Sequence, residues 1–580
     1  MPPVRRLLSL IALLTVVTIG CEAAQAPAWT PAPASGSAVP SLSVPVPPAA
    51  PPVAPLDPAV SASSSSSSPD SSPDPLASAP AAAGSPPPAA NQPAAEADLP
   101  IVPIVDFRST ETSVDAADVA AVLAGRSGRY QALELVAADA DPILAALGVA
   151  PPADPARLIR VADAATLARD LAVHRDRLAF VRAAQVGPSV RALGWGGREL
   201  FGVDRVRSLA DWPLAARLAA NDQPFDPGST WTLVAGGDIL LDRGVARQVT
   251  ILGRGVDFPF AGGSARITGR FCCSSFGWEL PRTRRTGDPG AVRHLLQTAD
   301  LAVANFENPA PDAFRYHVQG TVFSADPRLI DGLRNAGLDW VSLANNHIRD
   351  AGASGLLQTI ANLDRRGIAH SGAGRDLAAA RKPAILVAGA AAASGTADGA
   401  TGGSAGGIRV AFLGYDTIAP SYAAGTGRAG SAPMSAAALR RDVAAARAAG
   451  AQVVVVYPHW GVEYTARTTS LQRALGRAAI DAGADLVIGN HPHWVGAMEV
   501  YRGRPIWYAL GNFVFDQAWS EPTQEGLLLE LTFRGRTLVQ VRLHPTIILD
   551  QAQPNLLDPG RDGAAVLDQL YQASGRLLGW

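Results

Sequence analysis

LVIGNHPHWVG, residues 486–496, sets a short apolar run against a turn that carries two imidazoles. Leu486–Ile488 reads as the end of a buried strand, closed by Gly489. His491 and His493 follow at once, on either side of Pro492. Two readings are open here: metal ligands delivered by a strand end, or a turn that happens to contain histidine. What else converges on the same place decides between them.

Upstream the same pattern recurs. WTLVAGGD (231–238), DLAVANFE (300–307), DWVSLANNH (339–347), IRVAFLGYD (408–416), AQVVVVYPHW (451–460) and PIWYALGNFVF (505–515) alternate with helical segments such as SLQRALGRAAIDAG (470–483). Near-continuous apolar strands separated by helices predict buried sheets covered by helices. EGLLLELTF and TLVQVRLHP, joined by RGR, predict a hairpin over 525–545, and the Gly/Ala-rich 389–407 reads as a flexible insertion.

Polar groups gather where these strands end. Asp238 follows LVAGG; Asn305 and Glu307 follow LAVA; Asn345, Asn346 and His347 follow WVSLA; His459 follows VVVVYP. In open α/β sheets ligands bind beyond the carboxyl ends of strands. Each group alone has a bland reading: Asp238 as the cap of a following helix, Glu307 as the partner of an arginine, a strand-end histidine as structural. Five strand ends making the same choice favour a metal. Imidazole and carboxylate donors without thiolate suit Mn, Zn or Fe, and such an ion polarises a bound oxygen and acidifies a bound water.

The ordered series GGDILLDRG, ANFENP, LANNHIRDAG, HSGAGRDLAAA, YPHWGVEY and GADLVIGNHPHWVGAMEVYRGRPIWYALGNFVFDQ resembles the bacterial capsule-biosynthesis family called CapA, associated with poly-γ-glutamate. The resemblance covers about 229–546. It implies a four-layered α/β sandwich like that of calcineurin-type metallophosphoesterases. It also implies metal ligation by Asp238, Glu307 (as a bridging carboxylate), Asn346, His459, His491 and His493, with His347 facing the substrate. The pattern lacks an Asp-x-His at its first motif and has Glu in place of the usual bridging Asp, so one complete metal site is better supported than two. Around this set, Arg243 and Asn345 are candidates for substrate contact, Arg243 for an anionic group or else a salt bridge. Asp350 either orients His347 or caps a helix. Glu463 and Tyr464 are candidates for acid–base work and substrate contact, or for structural hydrogen bonding.

The N-terminal fifth of the chain differs in kind. MPPVRRLLSLIALLTVVTIGC has a basic start, an apolar run too short to span a bilayer, and Gly20 before Cys21. It resembles a lipoprotein signal, which predicts lipidation of Cys21 and an exported, membrane-anchored protein in the cell envelope. Residues 22–100 are rich in Pro, Ala and Ser and hold no Lys or Arg; they read as a disordered tether. Residues 101–228 predict a small α/β domain: a strand over LPIVPIVDF, a capped helix over SVDAADVAAVLAG, then a helix over DAATLARDLAV that runs into another strand. That pattern resembles a lobe of a periplasmic substrate-binding protein. Residues 547–580 read as a C-terminal extension. Adjacent Cys272 and Cys273 read as a loop pair, with a vicinal disulfide as the alternative.

A formal net charge of −2 gives no field for nucleic acid. Two functions remain open from sequence. One is an exported metal-dependent hydrolase cleaving an amide or phosphoester in an anionic envelope polymer such as poly-γ-glutamate. The other is a non-catalytic component that binds or exports that polymer.

Overall fold

Alternation along the strands decides which side chains meet. A computed structural model of the chain describes residues 95–220, 224–389 and 407–579. The signal segment with Cys21, nearly all of the tether and nearly all of the 389–407 insertion lie outside the described residues. In the strand Thr230–Ile239, Leu233 and Ala235 face one way and Val234 the other; in Val453–His459, Val453, Val455 and Tyr457 oppose Val454 and Val456. This is the two-residue period of a pleated strand. Leu233, Ala235, Val453, Val455 and Tyr457 share one core with Trp340, Phe412 and Trp507, packed between two sheets. Val234 and Val341 pack instead against helices Ala291–Thr298, Ile330–Ala336 and Gly352–Asp364. Val454, Val456 and Val487 pack against helices Ala436–Ala448 and Ser470–Asp481. Helices, sheet, sheet and helices make the four layers expected.

The larger sheet has ten strands and the smaller six. In the larger, Leu301–Phe306 runs parallel to both Thr230–Ile239 and Trp340–Ser342. In the smaller, Val453–His459 runs parallel to Ile408–Asp416 and Leu486–Ile488. Parallel pairing puts the carboxyl ends of the central strands on one edge. Glycine allows a close approach there: a Cβ on Gly237 would collide with the Gly511 carbonyl oxygen, where Asn512–Val514 joins the sheet.

The small N-terminal unit forms a separate six-stranded sheet, with Leu158–Val161, Ala132–Val136, Arg177–Arg182, Glu96–Asp106 and Val190–Ala192 in order and Ala215–Ala219 on Glu96–Asp106. The helix Ala116–Leu123 carries the expected cap, Asp115, in a capping box with Asp118. Two expectations need correction. Ordered structure begins before residue 101, because pairing with Ala215–Ala219 extends the first strand back to Glu96. Residues 547–580 are no appendage: Gln553–Leu557 lies inside the ten-stranded sheet, and Val566, Leu567 and Leu570 of the helix Ala564–Ser574 fill the inter-sheet core. Cys272 and Cys273 lie side by side between the strands Ser264–Phe271 and Leu280–Gly287, with their sulfurs adjacent, as the vicinal alternative requires.

Candidate metal centre

Strand register builds the site. Asn305 lies opposite Asp238 on one side and Ser342 on the other, and Asn512 also pairs with Asp238. In the second sheet His459 pairs with Asp416 and bridges to Asn490, directly before His491. The row of strand ends therefore brings Asp238, Glu307, His459, His491 and His493 together, each at most 4 % exposed.

Two ligand groups emerge, one of Glu307, His459 and His491 and one of Asp238, Glu307 and His493, and within each the ligand atoms lie inside 4.8 Å of one another. Glu307 belongs to both. His459 Nε2 is 2.7 Å from Asn346 Oδ1, 3.1 Å from His491 Nδ1 and 3.4 Å from Glu307 Oε1. Atoms bound to one ion at about 2.1 Å sit roughly 3.0–3.4 Å apart, so this spacing suits a shared cation. On the other side, His493 Nδ1 is 3.4 Å from Asp238 Oδ2, and its Nε2 is 3.8 Å from Glu307 Oε1.

The electrostatics agree with that fit. Both Glu307 carboxylate oxygens are buried without a hydrogen-bond partner. Burial first, and the Asp238 carboxylate second, push the Glu307 carboxyl well above its ordinary range. Burial also holds His459 neutral far below the usual imidazole range, helped by His493 and His347. The same burial, with His459 and His493, brings His491 down to about 2. Neutral imidazoles are the form that ligates, and a divalent cation is the charge that an unpartnered buried carboxylate lacks.

Amides hold these groups in place. Asn512 donates its amide hydrogens to Gln517 Oε1 (3.0 Å) and the Thr523 carbonyl (2.8 Å). Its Oδ1 is thus the acceptor for His493 Nδ1–H at 2.9 Å, which leaves His493 Nε2 with a free lone pair. Asn305 donates to Asp238 Oδ1 at 2.7 Å, and Asn345 donates to the Phe306 carbonyl at 2.8 Å. Asn345 Oδ1 accepts the His347 backbone N–H at 3.1 Å, so its side chain shapes the loop rather than opening to a substrate. Asn305 is legible in the sequence as a strand-end polar residue, and Asn512 only as a residue within the run PIWYALGNFVF; the holding role of both needs the register.

Four side chains around the centre occupy left-handed backbone at positive φ: His491 (95°), His493 (59°), Tyr464 (58°) and Arg243 (47°). Such residues cost roughly 1–3 kcal/mol each and persist where surrounding bonds fix them. Here the His491 N–H donates to Asp238 Oδ2 at 3.2 Å and the Tyr464 N–H to the Pro492 carbonyl at 2.8 Å.

At the rim, His347 Nδ1 donates to Asp350 Oδ2 at 2.8 Å. Asp350 also accepts the Phe323 N–H at 2.8 Å and the Tyr422 hydroxyl at 3.1 Å, and it caps no helix. Asp238 is no cap either, since Asp242 caps the helix Arg243–Ala246. Tyr464 stacks on His493 with ring centroids 5.9 Å apart, while Glu463 stays exposed beside it. Of the two readings of Arg243, the salt bridge is the one formed. Asp516, two residues past the strand Asn512–Val514, pairs with its guanidinium; the Gly320 carbonyl takes a second bond, and the Phe323 ring lies under it.

Four layers, with carboxylate and imidazole donors at the strand ends, are the architecture that the resemblance to calcineurin-type metallophosphoesterases implies. Residues 232–517 match the model of the family described as bacterial capsule synthesis protein PGA_cap. The chain is 29% identical over 307 residues to the capsule biosynthesis protein CapA of Bacillus anthracis, covering 51% of this chain and 70% of that one. It is 30% identical over 245 residues to the PGA biosynthesis protein CapA of Bacillus subtilis, covering 41% of this chain and 59%, under two thirds, of that one. Among solved structures, a 5′-nucleotidase precursor from Thermus thermophilus is similar over 59% of this chain and 58% of its own length, at 15% identity and a TM-score of 0.29.

Proposed function

We propose that this protein is a metal-dependent hydrolase of a capsule or cell-envelope polymer, of the poly-γ-glutamate kind that the resemblance to CapA implies. One observation bears most of the weight: a fully buried carboxylate, Glu307, with both oxygens unpartnered and shared by two ligand groups. Asp238, Glu307, Asn346, His459, His491 and His493 would hold one or two ions of Mn, Zn or Fe. When bound, the metal supplies Lewis acidity toward an amide or phosphoester and its attacking water. The chain's own groups do the rest. Asp350 fixes His347 through Nδ1, leaving Nε2 to hold or pass a proton at the substrate. Tyr464 covers the face of His493 and restricts water there, and exposed Glu463 is placed to meet substrate.

The N-terminal sequence supports export and anchoring through lipidated Cys21. The reading is tested by incubating metal-loaded protein with poly-γ-glutamate, peptidoglycan fragments and a generic phosphodiester. Chelator-sensitive cleavage of one of them is expected. Metal bound without any cleavage would leave the second reading, a polymer-binding or export component, which the absent Asp-x-His favours. In cells, Cys21→Ala should release the protein from membranes; continued membrane binding would end the lipidation reading.

A further inference from the structure

Beside the centre, behind Tyr464, lies a cavity of about 370 Å³ lined by Phe276, Trp278, Tyr464, Trp494, Trp519 and Ser520. Three distant segments build it. The connection between the strands Ser264–Phe271 and Leu280–Gly287 supplies Phe276 and Trp278, which are exposed at 71% and 45%. The loops after His459 and His493 supply Tyr464 and Trp494, and the segment before the helix Glu521–Gln524 supplies Trp519. The rings meet nearly at right angles: Phe276 with Trp519 at 62°, Trp278 with Trp494 at 87°, and Tyr464 with Trp519 at 77°.

This geometry and chemistry limit the occupant. Rings at right angles wall a compact box, whereas a flat base or aryl group needs a parallel slot. The polar lining offers a sugar few groups beyond indole N–H donors, that of Trp494 buried and without a partner: the Ser520 hydroxyl is engaged by Thr523, and the Tyr464 hydroxyl takes the Gln517 amide. No Lys or Arg is among the lining residues. Arg243 and the exposed Arg247 line a separate cavity that shares the Phe276 and Trp519 walls, and Asp516 pairs with Arg243 there. Aromatic faces carry negative potential, and the Glu463 carboxylate adds to it next to Tyr464. An anion is disfavoured and a cation is favoured.

We infer that this cavity is an aromatic cage for an organic ammonium group borne by the substrate, set one ring-stack from the metal ligand candidate His493. The inference rests on the proposed polymer-processing reading for its use, since it names a substituent that an all-carboxylate polymer lacks. Its binding chemistry can be tested separately. Calorimetric titration of the whole protein with choline, with its neutral isostere 3,3-dimethylbutan-1-ol and with N-acetylglucosamine compares charge at constant shape. Choline should bind about 3- to 30-fold more tightly than the isostere, the scale of cation–π attraction. Phe276→Ala and Trp278→Ala, at an exposed hairpin tip, should each weaken choline by a similar factor with metal content unchanged. Equal binding of choline and the isostere, binding of the sugar alone, or no binding at all would each overturn the cage. Choline binding that survives in a His491→Ala, His493→Ala protein stripped of metal would uphold the cage whatever becomes of the hydrolase.

Discussion

Two buried glutamates, Glu307 at the strand ends and Glu530 at the seam with the small N-terminal sheet, sit in comparable burial and opposite circumstances. Glu530 accepts the Val203 N–H at 2.9 Å, contacts His544 Nε2 at 2.7 Å and has Arg542 at 3.7 Å. Arg542 in turn reaches Glu199 of the small unit at 2.5 Å. Burial raises the Glu530 pKa, but Arg542 and then His544 outweigh it, and the carboxyl falls to about 2. Glu307 has neither a cation nor a hydrogen-bond donor on its oxygens, and its pKa moves the other way. A charge removed from water must be paired or it destabilises the fold. The seam is electrically complete within the chain. The strand-end centre is complete only with something added, and that difference marks it as a site.

The largest effect that can break this comparison is loss of the added partner. His491→Ala combined with His493→Ala removes one imidazole from each ligand group while leaving the strands intact. The purified wild-type protein, prepared without chelator, should carry a divalent transition metal by elemental analysis, and the double variant should carry none with unchanged circular dichroism. A metal-free wild type would remove the distinction between the two glutamates. Next in size is His347→Ala. Because His347 is tied to Asp350 and not to Glu307, metal content should stay nearly constant while turnover drops about 10²- to 10⁴-fold. Loss of metal together with turnover would make His347 a ligand instead.

Sequence reached the first half of the comparison better than the second. Asp238, Glu307, His459, His491 and His493 each close an apolar run, so their convergence follows once parallel strands share an edge. The hairpin 525–545 was equally plain, because its alternation and short turn are local. Glu530 and Arg542 on that hairpin showed only as polar residues in apolar strands. Their partners Val203 and Glu199 come from a unit more than 300 residues earlier. Likewise, nothing local announces that Phe276, Trp494 and Trp519 will enclose one cavity. The choice left open for Arg243 could not be made locally for the same reason, since its partner Asp516 lies 273 positions away.

The seam supplies a prediction of intermediate size. Glu530→Gln leaves Arg542 buried with less compensation, and stripping one partner from a buried pair costs about 3–5 kcal/mol. Denaturant unfolding should show a loss of that order, against almost none for a surface Glu such as Glu96. The pH dependence has a definite sign. The folded pKa of Glu530 lies below its ordinary 4.5, near 2, so its contribution is fully present above about pH 4.5 and fades as pH falls toward 2. The stability gap between wild type and Glu530→Gln should therefore narrow across that window. A constant gap would mean that shape, rather than charge, holds the seam.

The smallest effect gives the sharpest test, because its sign depends on metal. Glu307→Gln keeps the size of the side chain and replaces a carboxyl group that burial makes hard to ionise with a neutral amide. In chelator-treated protein the variant should be as stable as wild type or slightly more so, by about 1 kcal/mol, since a neutral amide avoids the cost of holding a carboxyl, charged or protonated against its ordinary range, in that buried place. Adding metal should reverse the order. Wild type gains RT ln(1 + [metal]/Kd), about 2.7 kcal/mol at a hundredfold excess over Kd, and the variant, without the shared carboxylate, gains less. Thermal melts of both proteins with and without metal read the crossing directly. If Glu307→Gln destabilised the metal-free protein as much as Glu530→Gln does, Glu307 would be a structural carboxylate like its counterpart, and the contrast between the two regions would collapse.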